Sequence, residues 1–129
     1  MPLTANADWK NDSVDADAAA VEGQAVEVVG DDGAGNADAV LGTVVVPAGH
    51  FAAGGATVEG EASATGPLTI PITTDGTADR LRIYRTATGY LEGTVGVTGS
   101  GADFEAPRVA LVAGDEFRPT LTIVFQNPA

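Results

Sequence analysis

The C-terminal part of the sequence shows a two-residue alternation of apolar and polar side chains. The apolar positions are Phe117, Pro119, Leu121, Ile123 and Phe125, and the polar positions are Arg118, Thr120, Thr122 and Gln126. A period of two is the pattern of a strand that buries one face. Similar short segments, separated by Gly, Ser, Asn and Asp turns, extend back to Gly76. The stretch therefore predicts consecutive short strands.

The spacing of these segments predicts an all-β fold. We count seven to nine strands that are close neighbours in sequence, which favours antiparallel meander or Greek-key connections. The predicted architecture is an antiparallel β-sandwich or barrel, of jelly-roll or Ig-like type, spanning residues 23–129. On one of these strands Leu91, Val95 and Val97 are expected to face inward. The Gly-rich segment 50–66 is expected to be either a mobile surface loop or a pair of weak edge strands.

Residues 1–22 are predicted to form an acidic N-terminal arm. A short helix is expected through residues 15–22, and Gly23 is expected to end it. The candidate N-caps of this helix are Asp12, Ser13 and Asp15.

Trp9 is the only tryptophan of the chain and lies in this otherwise polar segment. A side chain of this size normally buries apolar surface. Two interpretations stay open: Trp9 folds back onto the domain, or it docks into a neighbouring subunit. In the second case it is an interface residue.

The charge of the chain is strongly negative and unevenly distributed. Eighteen acids and six bases give a net charge of −12. Residues 1–66 contain eleven acids and one base, whereas residues 67–129 contain seven acids and five arginines. Such a surface repels nucleic acid, so we expect no nucleic-acid partner. Molar salt reduces the Debye length to about 3 Å and screens this self-repulsion. The composition fits a protein of hypersaline surroundings, or alternatively an acidic mesophilic protein.

Other compositional features exclude several classes of site. The chain has no cysteine, which excludes disulfides and thiolate metal sites. It has no apolar run near the ~18 residues of a membrane span, so no membrane partner is expected. The first ten residues lack the basic start and apolar stretch of a signal peptide. We therefore expect that nothing in the chain itself directs it across a membrane.

No combination of residues predicts catalysis, and we expect no enzymatic activity. His50 is the only histidine and has no nucleophile or acid of known proximity with which to form a triad. Adjacent acids such as Asp115 and Glu116 occur by chance in a chain this acidic, and a solvated surface explains them.

The loop between residues 30 and 38 is the best metal candidate, because oxygen ligands in a Gly-rich loop suit calcium. Its candidate ligands are Asp31, Asp32, Asn36 and Asp38. Counted from Asp32, the third position is not acidic and the twelfth is not Glu, which excludes an EF-hand. An irregular structural cation site and a flexible acidic loop both remain open, and no other cofactor is expected.

Three arginines stand close together in the less acidic half of the chain. Arg80 and Arg82 are two residues apart and therefore share one face of a strand, whereas Arg85 lies just beyond, on the other face. They are expected to pair within the chain with nearby Asp79 or Glu92. The alternative is a basic stripe that binds an acidic neighbouring subunit, since a partly buried Arg–carboxylate pair resists salt screening.

Several short segments follow one another in a distinctive order along residues 23–126. They are NADAV at 36–40, LGTVVVP at 41–47, PLTIP at 67–71, DGTADRLRIY at 75–84, LEGTVG at 91–96, SGADF at 100–104 and LVAGDEF at 111–117. This order resembles a recurrent family of small β-rich structural proteins of tailed viruses and prophages. The acid-rich N-terminal segment is a departure from that family, and it fits a virus of salt-loving, haloarchaeal hosts.

The resemblance implies a non-enzymatic virion protein, assembled in the host cytoplasm, that decorates or cements a capsid. Its implied partners are the major capsid protein or other virion subunits, together with further copies of itself. Two alternatives remain: a structural protein of the tail tube or tip, and a secreted carbohydrate-binding or adhesin-like module.

Overall fold

The computed structural model describes residues 3–125, which form a β-rich fold with one helix. Gln126 and the predicted end of the domain at residue 129 lie outside the described residues. The elements are α1 (Ala7–Val21), β1 (Ala25–Asp31), β2 (Ala39–Val45), β3 (Glu61–Ser63), β4 (Ile70–Pro71), β5 (Gly76–Tyr84), β6 (Tyr90–Val97), β7 (Phe104–Ala106), β8 (Ala110–Leu111), β9 (Glu116–Phe117) and β10 (Thr122–Val124).

The strands form one large sheet and two small ones. The large sheet has the order β2-β1-β5-β6-β7, and β8 pairs with the start of β5. The small sheets are β10-β3 and β4-β9. The ten strands within residues 3–125 exceed the predicted seven to nine, because several segments contain strands of only two or three residues.

One strand pair departs from the antiparallel prediction. β7 runs parallel to β6, with Val95 opposite Phe104 and Val97 opposite Ala106. The connection between them is only a short loop, whereas parallel neighbours usually need a long crossover. The chain doubles back because Gly99 and Gly101 adopt φ values of +87° and +81°, a conformation that L side chains rarely adopt. The sheet is therefore mixed.

The hydrophobic core lies on one face of the large sheet. Val26, Val28 and Leu81 are fully buried on neighbouring strands. On β6 the predicted inward pattern is correct for Val95 but wrong for Leu91 and Val97, which are 75% and 47% exposed. Their positions lie where the core no longer covers the sheet.

The C-terminal alternation is confirmed as far as the described residues extend. Phe117, Pro119 and Leu121 are buried, whereas Arg118 and Thr120 are exposed. Ile123 and Phe125 continue the apolar side and are half-buried.

Helix α1 is longer than the sequence predicts. It begins at Ala7, and Asn6 caps it by accepting the N–H of Trp9 at 3.0 Å, so the predicted caps Asp12, Ser13 and Asp15 are wrong. The end was predicted correctly, since Glu22 is the C-cap and Gly23 follows with φ +88°. The helix contributes three residues to the core: Val14, Ala18 and Val21.

The Gly-rich segment 50–66 is held against this helix by polar side chains. The N–H groups of Gly54 and Gly60 donate to Asp15 Oδ1 at 2.6 Å and to Asn11 Oδ1 at 2.9 Å. The N–H of Phe51 donates to Glu22 Oε2 at 3.2 Å. β3 is the one strand within this segment, so neither the mobile loop nor the pair of strands describes it fully. Polar side chains of α1 and of its C-cap thus hold this segment in place, in addition to the burial of Phe51 and Ala62 in the core.

Candidate functional site

The outer face of the large sheet, opposite the core, carries two parallel rows of side chains. The strand register places Ala25 opposite Val45 and Tyr84 opposite Tyr90. Val26 lies opposite Ile83, so the preceding residue Ala25 lies next to Tyr84 across the β1–β5 pair. These four side chains form one apolar and aromatic row. The adjacent row is Thr43, Glu27, Arg82 and Glu92. Tyr90, Val45, Thr43 and Glu92 are exposed, so this face is open to solvent.

An arginine and two tyrosines form a compact cluster where the two rows meet. The rings of Tyr84 and Tyr90 are tilted at 54°, with centroids 5.2 Å apart. The guanidinium carbon of Arg82 lies 4.9 Å from the centroid of the Tyr90 ring, within the range of a cation–π contact. We call Arg82, Tyr84 and Tyr90 the Arg–Tyr cluster.

Carboxylates on neighbouring strands fix the Arg–Tyr cluster. Arg82 Nε donates to Glu92 Oε2 at 2.9 Å, and this bond raises the pKa of Arg82. The Tyr84 hydroxyl donates to Glu27 Oε1 at 2.8 Å, which raises the pKa of Tyr84 because the protonated phenol is the donor. The side chains of Arg82 and Tyr84 are therefore held in one conformation before any partner binds.

Arg80 and Arg85, the other two predicted interface arginines, also pair within the chain. Arg80 bonds Asp79 at 2.8 Å and Asp38 at 2.6 Å, and these carboxylates raise its pKa. Arg85 pairs with Asp17 of helix α1. The predicted pairing of Arg80 with Asp79 and of Arg82 with Glu92 is confirmed, whereas Asp38 and Asp17 were not foreseen.

Trp9 does not fold back into the core. Its side chain is 66% exposed on helix α1, so the first of its two interpretations is wrong. Docking into a neighbouring subunit stays a prediction for this residue.

The sequence reasoning missed Tyr84 and Tyr90 as members of the candidate site. The available signal was their symmetric position at the two ends of the 85–89 turn, which places them opposite each other in a hairpin.

The candidate cation loop uses its side-chain oxygens to form its own turns. Asp31 Oδ1 accepts the N–H of Gly33, and Asp32 Oδ1 accepts that of Ala34, both at 2.8 Å. Asn36 Oδ1 accepts the N–H of Asp38, whose carboxylate pairs with Arg80. No group of three or more acidic or histidine side chains within residues 3–125 is arranged to hold a metal ion. The loop is thus an Asx-turn structure.

His50 lies inside the protein, with 7% of its surface exposed. Its ring meets Phe51 edge-on at 5.2 Å, and its carbonyl accepts the N–H of Thr65 at 2.8 Å. Its Nε2 has no hydrogen-bond partner in the described part of the chain. The residue lies outside the strands, and its side chain packs inward.

Acidic side chains also fasten the loop that connects β6 to β7. Glu105 accepts the N–H groups of Gly101 at 2.7 Å and Gly99 at 3.2 Å, and these bonds lower its pKa. Asp103 accepts the N–H of Thr94 at 2.9 Å. Carboxylates thus hold the segment in which the chain reverses.

Glu105→Gln should make stability less sensitive to acid. Because the folded-state pKa of Glu105 lies below its ordinary value of 4.5, its stabilisation is present above that value. It is lost as the pH falls through the lowered pKa. Melting curves from neutral pH downward should therefore fall less steeply for Glu105→Gln than for the wild type.

Glu59→Gln is the matched control for this measurement, because Glu59 is exposed and accepts no hydrogen bond within residues 3–125. It should leave the acid dependence unchanged. Equal slopes for Glu105→Gln and the wild type would contradict the assigned role.

In comparisons with known proteins, no protein-family model, curated sequence or solved structure matches this chain. Within residues 3–125, no helix has the length and apolarity required to span a membrane.

Proposed function

We propose that this chain is a non-enzymatic structural protein of a tailed virus adapted to high salt, and that it decorates or cements the capsid surface. In this proposal the sheets form a sandwich of jelly-roll or Ig-like type. Its partner is the major capsid protein or another virion subunit.

The open outer face of the large sheet is the observation that carries this proposal. Aromatic residues and arginine are enriched at protein interfaces, and the Arg–Tyr cluster brings them together. Glu27 and Glu92 hold the cluster in place, so little side-chain entropy is lost on binding. An exposed face whose Arg82 and Tyr84 side chains are already held by hydrogen bonds suits attachment to a preformed shell.

The acidic side chains support the high-salt part of the proposal. All five arginines pair with carboxylates, yet twelve of the 18 acids, all within residues 3–125, have no ion-pair partner. Several of those twelve accept backbone N–H groups in loops, as Asp15 and Glu105 do. These carboxylates hold the loops by accepting hydrogen bonds, so their negative charge is retained. Dissolved cations are needed to screen the repulsion between them.

The test is to purify virus particles from cultures of the organism that encodes the chain. Mass spectrometry of particles banded in a high-salt density gradient should find the chain at a fixed ratio to the major capsid protein. Cryo-electron microscopy then separates a capsid position from the alternative position in the tail. Abundant protein in the culture that is absent from particles would contradict both, and binding to a glycan array would favour the secreted module.

Tyr90→Ala should weaken attachment to particles stripped of the protein by about tenfold to a hundredfold, the usual loss when a central interface aromatic is truncated. Leu91→Ala is the matched control, because Leu91 is the next residue and belongs to the opposite face of β6. Rebinding is measured by co-sedimentation in molar salt. Equal binding by both variants would exclude this face as the attachment surface.

A further inference from the structure

The segment Asp115–Thr120 presents an unpaired strand edge. On one side it pairs with residues 68–72: Leu68 N–H donates to the Pro119 carbonyl and Ile72 N–H to the Asp115 carbonyl, both at 2.8 Å. Backbone groups of successive residues in a strand point to opposite sides. The N–H and C=O groups of residues 116, 118 and 120 therefore point away from that pairing.

No described residue satisfies this outward side. The backbone groups of Arg118 and Thr120 make no hydrogen bond within residues 3–125. Natural sheet edges are commonly blocked by proline, a lysine or a covering loop. Pro119 does not block this edge, because it belongs to the set that faces residues 68–72. The edge can therefore accept another strand.

A groove of about 700 Å³ runs along this edge. Its lining also includes β7, which is the last strand of the large sheet, together with Pro107 and Arg108. The groove thus provides room beside the unpaired backbone groups.

We propose that this edge pairs antiparallel with the same edge of a second copy of the chain, with the twofold axis at Phe117. This register places Glu116 opposite Arg118 of the second copy, and Arg118 opposite Glu116 of the second copy. Opposite charges directly across an antiparallel pair are stabilising, and here they occur twice by symmetry. Phe117 itself stays in the core.

The side chains on this edge are available for such an exchange. Glu116 and Arg118 are both more than half exposed, and within the chain their closest N–O distance is 3.6 Å, a weak ion pair. Each can turn to the second copy with little loss. At a net charge of −12 per chain, the two copies repel each other in dilute buffer, so the dimer requires high salt.

Charge reversal at the two positions tests the register. In sedimentation velocity and light-scattering measurements in molar KCl, the wild type should form a dimer. R118E and E116R should each weaken it by about tenfold or more, since each places like charges in contact at both symmetric positions. An equimolar mixture of R118E and E116R should form a heterodimer, because it restores opposite charges at both positions. E59R is the control for surface charge and should dimerise like the wild type.

The inference does not rest on the virion proposal, because it is measured with the purified chain. Both reversals lie at exposed positions, and thermal melting verifies that each variant is folded. A wild type that is monomeric at all concentrations would overturn the inference. A dimer that is insensitive to both reversals, or a mixture that fails to associate, would do the same.

Discussion

Transfer from molar KCl to a buffer of about 0.1 M salt should lower the melting temperature of this protein by roughly 10 °C or more. The Debye length grows from about 3 Å to about 10 Å over this range, so carboxylates that are independent in brine begin to repel each other. The twelve acids without an ion-pair partner carry most of that repulsion. The five arginines, all within the described part of the chain, are already paired with carboxylates.

A double variant separates charge screening from the general effect of salt on apolar surface. Asp12→Asn and Glu59→Gln remove two acids that accept no hydrogen bond within residues 3–125. At low salt the double variant should melt at a higher temperature than the wild type, closer to the melting temperature that the wild type has at high salt. Melting temperatures that do not change with salt would remove the argument for a protein of hypersaline surroundings.

Local patterns in the sequence predicted the strands well where they were regular. Phe117, Pro119 and Leu121 are buried as expected, because a period of two depends only on the geometry of the strand itself. Leu91 follows the same parity as Val95, yet it is exposed. The alternation along a strand determines which face of the sheet a side chain lies on. Whether that side chain is buried depends on how far the hydrophobic core extends over that face.

The start of helix α1 could not be predicted from periodicity, because its first two turns bury no apolar residue and are polar except for Ala7 and the exposed Trp9. Its buried residues Val14, Ala18 and Val21 have helical spacing, but they are few and small. Part of its anchoring comes from contacts distant in sequence, such as Asn11 with Gly60, 49 residues away. No local pattern encodes such a contact.

The candidate site was predictable only in part, for the same reason. Arg80 with Asp79 and Arg82 with Glu92 follow from adjacency and from a hairpin register. The pairing of Arg85 with Asp17 spans 68 residues and depends on where the helix lies. Tertiary placement therefore decides which carboxylate pairs with Arg85.

Gly30→Ala should reduce the free energy of unfolding by about 3 kcal/mol or more, among the larger effects of a single methyl group. Gly30 is buried in β1, next to the point where the register between β1 and β5 shifts. An added Cβ would overlap the carbonyl oxygen of Thr77 and lie 2.9 Å from the Cα of Ala78. Both obstacles are backbone atoms of β5, which is paired on both sides and cannot move away.

Gly66→Ala is the matched control, because a Cβ there would have no neighbour within 4 Å and the residue does not have a left-handed φ. It should be neutral, or stabilising by up to about 1 kcal/mol through reduced freedom of the unfolded chain. Urea denaturation in molar salt measures both variants under conditions that screen the surface charge. If Gly30→Ala unfolded at the same urea concentration as Gly66→Ala, the close approach of β1 and β5 at this point would be wrong. A large loss confined to Gly30→Ala would establish that β1 and β5 approach each other at Gly30 too closely for a side chain.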